Sequence, residues 1–227
     1  MALHLLDNVP WHSLSGLHTR FSSGTSDARR YSPGFSPIIA FADVDSPNFA
    51  ALAQFCAPGE HFYCGGSSKS VPSGWQIDAE TTAIQMLWNA AALPEDDGAL
   101  VAVRLGPSHV PQILELVAIT QPGPFAERTI ELGEYYGVFE AQQLVAMAGE
   151  RMAAGHLREI SGVCTHPDFQ GRGLARRLVE KLIRLELQRG ETPFLHVMQD
   201  NVQARRIYER MGFRHHQEVT LRIVSRE

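Results

Sequence analysis

The chain has 227 residues, of which 44% are hydrophobic and 20% are charged, and its formal net charge is −5. These are the proportions of an ordinary globular protein, and they exclude a disordered, collagen-like or coiled-coil chain. No run approaches the roughly 20 apolar residues of a membrane-spanning helix, and the first residues lack the basic start and apolar block of a secretory signal, so we expect neither.

The first part of the chain has a weak pattern. Residues 13–37 are rich in Ser, Gly and Pro and are predicted to be loop. Three elements are predicted after it: a strand at 38–44, a short helix at Asn48–Phe55, and one strand or a pair of strands at Gly74–Trp88. The run Pro94–Gly98 (PEDDG) predicts a turn. We take this turn as the boundary between an N-terminal lobe, residues 1–97, and a second domain, residues 98–227.

After this turn the pattern becomes regular. Strands are predicted at Ala99–Leu105, Tyr135–Glu140, Gln143–Arg151, Leu157–Thr165, Pro193–Val197 and Val219–Val224. Helices are predicted at Ser108–Thr120, Phe125–Leu132 and Gly173–Gln188, and from Asp200 or Asn201 to Arg210. The helix at Gly173–Gln188 has the strongest pattern, because four leucines from Leu174 to Leu185 form one apolar stripe.

Charge is divided unevenly along the chain. Residues 1–149 hold 6 basic and 15 acidic residues (net −9), and residues 150–227 hold 14 basic and 10 acidic residues (net +4), which sum to −5. The basic residues of the second part are almost all Arg, whose planar fork suits phosphate. We therefore expect a small anionic ligand there. Nucleic-acid partners are not expected, because the chain as a whole is acidic.

The three cysteines, Cys56, Cys64 and Cys164, are an odd and sparse set for a disulfide framework, so a reducing cytoplasm is expected. His61 lies between two of them, but the paired spacing of a structural zinc site is missing. We therefore expect no metal.

The segment Glu159–Ala175 (EISGVCTHPDFQGRGLA) combines a strand, a glycine turn and a helix start. At a helix start several backbone N–H groups lack partners, and the helix dipole adds partial positive charge. Gly171 and Gly173 would let a phosphate approach the backbone, so the turn predicts a diphosphate site. A purely structural turn is the alternative. A nucleotide-binding fold is disfavoured, because the G-x-x-x-x-G-K-[ST] and G-x-G-x-x-G patterns are both absent.

A second motif, N-x-x-A-x-x-x-Y-x-x-x-G-F, follows the next predicted strand. It is formed by Asn201, Ala204, Tyr208, Gly212 and Phe213. With Q-G-R-G-L-A before it, the chain resembles the GNAT N-acetyltransferase superfamily, over about 98–224 and most specifically over 157–213. The segment also resembles the branch related to glycine N-acyltransferases.

The resemblance implies an α/β (α+β) fold with a mixed, mostly antiparallel sheet flanked by helices. The N-terminal lobe would be an extension or a reduced copy of the same fold. The implied activity is transfer of an acetyl group from acetyl-CoA, without a metal, to a primary amine of a small molecule or amino acid by direct attack. The alternative is a non-catalytic acyl-CoA-binding or sensor module. A cytoplasmic monomer or homodimer without a nucleic-acid or membrane partner is expected.

The resemblance also assigns residues to the coenzyme. These are Val163, Cys164, Thr165, Gln170, Gly171, Arg172, Gly173, Leu174, Ala175, Arg176, Asn201, Ala204 and Tyr208. The Val163 N–H would polarise the thioester carbonyl. Tyr208 would protonate the departing thiolate. Only one strand is predicted after Phe213, where the family often has two.

Glu159 is the candidate general base, with a water chain as the alternative and His156 and His166 as weaker candidates. Strand alternation predicts that Glu159 and Val163 share one face and that Cys164 lies on the other, which disfavours an acyl-cysteine route. Two residues of the loop Thr120–Arg128 are expected to contact the acceptor, Phe125 and Arg128.

Overall fold

The computed structural model describes residues 3–66, 70–94, 98 and 100–227. Its strands are β1 (Ser22–Gly24), β2 (Ala28–Tyr31), β3 (Ile39–Phe41), β4 (His61–Gly65), β5 (Trp75–Trp88), β6 (Val103–Arg104), β7 (Tyr135–Glu140), β8 (Gln143–Ala154), β9 (Leu157–Thr165), β10 (Thr192–Met198) and β11 (Phe213–Arg226). Its α-helices are α1 (Val9–Ser15), α2 (Phe49–Leu52), α3 (Val110–Thr120), α4 (Leu174–Gln188) and α5 (Val202–Arg210).

One large sheet organises the molecule. Its strand order is β4-β11-β5-β10-β9-β8-β7-β6, and a smaller sheet holds β1, β2 and β3. In the large sheet β9 and β10 pair in parallel, and the other neighbours pair antiparallel. The predicted fold class, a mixed and mostly antiparallel sheet flanked by helices, is confirmed.

Apolar side chains cover both faces of this sheet. On one face the leucine stripe of α4, including the buried Leu178 and Leu182, packs on Ile160 and Leu195. Burying one such leucine contributes about 1.5–3 kcal/mol. On the other face α3 packs on β8 and β9, and α1 packs on β8. The sheet is therefore the middle layer of three.

Strand β5 enters the large sheet from the N-terminal side of the predicted boundary. It lies between β10 and β11. The sequence predicted only one strand after Phe213 where the family often has two, and β5 supplies the additional strand in this part of the sheet. The boundary residue Asp97 lies outside the described residues, and the division at 97/98 stays a prediction. The sheet itself contains strands from both sides of it.

A buried polar cluster joins the N-terminal part to β8. The Tyr31 hydroxyl lies 2.8 Å from His18 Nδ1 and 3.2 Å from the Ser13 hydroxyl, which accepts the Ala153 N–H at 3.2 Å. Burial first, and then the charges of nearby arginines, lower the pKa of His18 to about 4. The histidine is therefore neutral at physiological pH.

Several predicted elements are wrong in extent or kind. Residues 13–37 are not continuous loop, because β1 and β2 lie within them and bury Ala28 and Tyr31. Of the predicted strand Ala99–Leu105 only Val103–Arg104 pairs, and Ala99 itself is outside the described residues. Phe125–Leu132 is a loop with one 3₁₀ turn at Thr129–Glu131. In each case tertiary contacts, and not local pattern, decide the outcome.

Candidate active site

A gap opens in the middle of the large sheet, between β9 and β10. These strands pair at three positions only, from Thr192↔Leu157 to Phe194↔Glu159. Beyond the last pair β9 continues to Thr165 and β10 to Met198. Both strands therefore present unpaired backbone to the gap, where an extended ligand could form β-type hydrogen bonds.

The backbone of β9 aims specific amides into this gap. The His166 N–H, directly after β9, donates to the Val145 carbonyl on β8 at 2.8 Å. Because N–H directions alternate along a regular strand, the Cys164 N–H also points toward β8, and the Thr165 N–H points to the gap. Val163 directly precedes Cys164, at the strand edge predicted to hold the thioester, and we infer that its amide faces the gap as well.

The glycine turn supplies a second set of free donors. Gly171 and Gly173 have φ angles of 76° and 72°, in the left-handed region that favours glycine. Among the described residues, the N–H groups of Gly171, Arg172 and Gly173 form no hydrogen bond. They stand directly before α4, whose N-terminal dipole adds partial positive charge. This arrangement suits an anionic group.

Arginine side chains surround the turn. Arg172 pairs with Glu140 at 2.8 Å, and Arg176 pairs with Glu180 at 3.1 Å. Both arginine side chains are about half exposed, so each ion pair contributes about 1 kcal/mol or less. A bound phosphate could therefore replace the carboxylate as partner of either arginine.

A cleft of about 350 Å³ lies between α4 and α5. Its lining residues are Arg176, Glu180, Ile207, Arg210 and Met211. The cleft is therefore lined by two arginines and two apolar side chains, and Arg176 connects it to the first turn of α4.

The second motif folds as α5 and its N-cap. Asn201 caps the helix, because its side-chain oxygen accepts the Ala204 N–H at 3.0 Å. Ala204 and Tyr208 pack against the same apolar cluster as Val163 and α4. The Tyr208 ring meets Phe213 edge to face, with 5.9 Å between centroids. Burial raises the pKa of Tyr208 to about 12, so its hydroxyl stays protonated at neutral pH.

Glu159 occupies an environment that the sequence did not indicate. It is 1% exposed and accepts two hydrogen bonds from Arg151, at 2.9 and 3.0 Å, and one from His196 at 2.9 Å. Burial alone would raise the pKa of Glu159, but the Arg151 charge and the hydrogen bonds from His196 and Arg151 lower it to about 2. So weak a base is poorly matched to taking a proton at neutral pH, and this environment argues against the predicted base role.

A bulge in β9 changes which residues share a face. Between the pairs Gly149↔Ser161 and Met147↔Cys164 strand β9 contains one extra residue, and Gly162 has a φ of 61°. As a result Val163 packs with Ile160 on the α4 side. Cys164 packs with Tyr135 on the opposite face, so the predicted alternation is wrong beyond the bulge. Burial raises the pKa of Cys164 to about 11, which keeps its thiol protonated.

The two residues predicted to contact the acceptor lie in different parts of the structure. Phe125 meets Tyr135 edge to face at 5.6 Å, and a Cβ placed on Gly162 would lie 3.5 Å from the Phe125 ring, so Phe125 reaches the bulge of β9. Arg128 instead turns to the N-terminal part, where its guanidinium lies 4.1 Å from the Phe35 ring centroid and pairs with Glu131. Only Phe125 therefore approaches the strand that borders the gap.

The gap has a closed end, where β9 and β10 form their last backbone pair, Phe194↔Glu159. Several polar residues near this end were not predicted: Arg151, His196, Gln85 and Gln217. His196 interrupts the apolar strand Pro193–Val197, and a polar residue at that place was the available sign. The weaker base candidates both lie in turns, His156 between β8 and β9 and His166 after β9.

The described part of the chain shows neither a metal-binding cluster nor a helix that could span a membrane. Within the described ranges, no group of three or more His, Cys, Asp or Glu residues is arranged to hold a metal ion. None of the helices in that part of the chain is long and apolar enough to cross a membrane. The three cysteines are free and buried.

Comparison with known proteins gives consistent matches. A family model described as FR47-like protein matches residues 135–223. A crystal structure of a protein assigned to the GNAT acetyltransferase family, from Novosphingobium aromaticivorans, is 35% identical, with a TM-score of 0.90 and 99% of each chain covered. No match was found among curated proteins.

More distant structures share the fold. A GCN5-related N-acetyltransferase from Kribbella flavida has a TM-score of 0.64 at 13% identity, covering 100% of this chain and 95% of that chain. A GCN5-related N-acetyltransferase-like protein from Streptococcus suis has a TM-score of 0.57 at 14% identity, covering 96% and 92%. The fold similarity therefore extends over the N-terminal part as well.

Proposed function

The chain belongs to the GNAT family of acetyltransferases, and from this premise we propose that it transfers an acetyl group from acetyl-CoA to a primary amine. The observation that carries the proposal is the gap between β9 and β10, which opens after Phe194↔Glu159 beside the free amides of the glycine turn. An extended amide-containing arm and a diphosphate are the two parts of coenzyme A that such a site would hold.

The residues present fit this co-substrate. Gln170 and the turn Gly171–Gly173, with Leu174, Ala175 and Arg176 at the start of α4, would hold the diphosphate. The edge residues Val163, Cys164 and Thr165 would pair with the extended arm. Support comes from the unpaired amides and from the cleft between α4 and α5, where Arg176 and Arg210 add positive charge. Asn201 and Ala204 would help to position α5 beside the bound coenzyme, because Asn201 caps this helix by accepting the Ala204 N–H.

The proposed chemistry uses two groups of this chain. The Val163 N–H donates to the thioester oxygen and stabilises the negative charge that develops there, a contribution of about 3 kcal/mol for one well-placed donor. The amine nitrogen forms its bond to the acetyl carbon as the carbon–sulfur bond breaks. Tyr208 gives its hydroxyl proton to the departing sulfur. The proton lost by the amine passes to water, which restores Tyr208.

The acceptor is proposed to be a small molecule or an amino acid, in keeping with the similarity to the branch related to glycine N-acyltransferases. Phe125 is the proposed acceptor contact, supported by its position at the bulge of β9. Arg128 would contribute only if it leaves Phe35. We further propose a monomer or homodimer in the cytoplasm, without a nucleic-acid partner.

The test has two steps. First, acetyl-CoA should raise the unfolding temperature, because a ligand that binds only the folded state stabilises it. Second, a panel of amines and amino acids should be screened for release of free coenzyme A thiol. Binding with no release across the panel would favour the acyl-CoA sensor, and no binding at all would overturn the proposal.

A further inference from the structure

A row of polar side chains crosses five adjacent strands of the large sheet, β8, β9, β10, β5 and β11. Each strand contributes one residue, in the order Arg151, Glu159, His196, Gln85 and Gln217. This polar row lies on the face that packs against the N-terminal part, where His196 meets Phe194 edge to face. Glu159 and Gln85 are each 1% exposed.

Hydrogen bonds connect the row without a break. Arg151 donates twice to Glu159, and Gln217 Nε2 donates to Gln85 Oε1 at 3.0 Å. Gln85 Nε2 lies 3.1 Å from His196 Nε2, and because an amide nitrogen can only donate, His196 Nε2 is the acceptor. The proton of His196 is then on Nδ1, which donates to Glu159 Oε1 at 2.9 Å.

The row crosses the sheet at the closed end of the gap. Glu159 belongs to the last backbone pair between β9 and β10, with Phe194 as its partner. His196 lies two residues beyond that pair on β10. The hydrogen bond between Glu159 and His196 therefore joins the two strands directly after their backbone pairing stops.

The far end of the row is a backbone carbonyl of the N-terminal part. Gln85 and Gln217 both donate to the Leu6 carbonyl oxygen, at 3.3 and 3.1 Å. Residues on both sides of the predicted 97/98 boundary therefore take part in fixing the closed end of the gap.

Buried charge of this kind is not explained by stability alone. Removing two charges from water costs several kcal/mol per ion in proteins, and apolar replacements of buried ion pairs are often neutral or stabilising. A geometric role is one reason to keep such a row in an apolar interior.

We propose that the polar row sets the opening of the gap, and that Glu159 and His196 are positioning residues for the acetyl transfer. Through them the Val163 amide keeps its direction toward the thioester. Glu159 thereby acts through His196 and β9, and not as the general base. This inference rests on the proposed function.

The test compares two substitutions of one residue. His196→Leu removes the hydrogen bond to Glu159, whereas His196→Asn can keep a donor at the position of Nδ1. We expect His196→Leu to raise KM for acetyl-CoA and to lower kcat, with a combined loss in kcat/KM of about 100-fold, because small misplacements of reacting groups cost about that much. His196→Asn should recover most of the loss.

His61→Leu is the matched control, since this histidine lies on the edge strand β4 with its side chain 64% exposed. It should leave both constants unchanged. If His196→Leu does not fold, Gln85→Met replaces it. This substitution removes the partner of His196 Nε2, and it should shift the constants in the same direction by a smaller factor.

The pH profile separates positioning from base catalysis. Turnover should rise with pH as the amine substrate loses its proton. If Glu159 is a positioning residue, Glu159→Gln should keep this rise of kcat with pH. A base role predicts loss of that rise and a fall in kcat of about 10²–10⁴-fold with unchanged KM, and this outcome would overturn the inference. Wild-type kinetic constants in His196→Leu would also overturn it. Wild-type protein that neither binds nor turns over acetyl-CoA would instead refute the proposed function.

Discussion

The pairs β5–β11 and β9–β10 lie in the same sheet but are closed to very different degrees. β5 and β11 pair at thirteen positions, and β9 and β10 at three. Unpaired backbone donors inside a protein cost about 1–3 kcal/mol each, so an interior edge without partners is a feature that folding alone does not favour. We call the pair β5–β11 the closed region and the pair β9–β10 the open region. The difference indicates that the closed region stabilises the fold and that the open region supports the chemistry.

The largest effect should follow removal of residues 1–97. This removal takes away β4 and β5, so β11 loses both of its neighbours in the large sheet, and β10 loses its antiparallel neighbour and becomes an exposed edge. We expect residues 98–227 alone to lack a cooperative unfolding transition. Circular dichroism on heating measures this. A cooperative transition near that of the whole chain would show that the closed region is dispensable.

Tyr208→Phe addresses the open region. The loss of the hydroxyl should lower kcat by about 100-fold or more, because a positioned acid contributes 10²–10⁴-fold. KM for acetyl-CoA and the unfolding temperature should change little, since the ring and its contact with Phe213 remain. Thiol release under saturating acetyl-CoA gives the comparison. Unchanged turnover would remove Tyr208 from the mechanism.

His18 belongs to neither pair of strands but to the buried polar cluster that joins the N-terminal part to β8, and it tests that part of the fold through pH. Its pKa is about 4 in the folded state, below the ordinary value of 6.5, so between these values the unfolded chain binds more protons. Stability should therefore fall as pH decreases from 6.5 to 4, by about 3 kcal/mol from this residue. Urea unfolding at several pH values measures the slope.

His18→Asn is the comparison for that experiment. It should flatten the slope and leave kcat near neutral pH unchanged. An equal slope in both proteins would mean that His18 is not the group responsible.

The smallest effects concern two glycines with the same left-handed backbone conformation. Gly171 has φ 76° and Gly59 has φ 81°, and neither would bring a Cβ within 4 Å of another group. Substitution of either by alanine should therefore cost about 1 kcal/mol of folding stability. Only Gly171→Ala should also weaken acetyl-CoA binding, which calorimetric titration measures. Equal affinities of the two variants would argue against a phosphate at the turn.

The sequence predicted the local elements of the second half well, because apolar spacing determines structures such as α4 and the hairpins between β7, β8 and β9. The place of β5 was not predictable in this way, since its partners lie more than a hundred residues away in sequence. The bulge at Gly162 was missed for a related reason. One inserted residue reverses the alternation on which the face assignment depended.

The residues of the candidate site also differ in how far local sequence predicts them. The glycine turn and Tyr208 belong to short motifs whose spacing is visible in the sequence. Glu159 was visible too, but its chemistry depends on Arg151 and His196, which come from two other strands. A carboxylate with such partners differs in pKa from an exposed one, and only the three-dimensional packing distinguishes the two cases.

The insertion of β5 between β10 and β11 also has a consequence for biosynthesis. The ribosome makes β5 more than a hundred residues before β10 and β11, the two strands that flank it. This strand therefore waits for a long stretch of synthesis before it can pair with either neighbour. Until then its apolar half, from Ala83 to Trp88, needs protection from other chains.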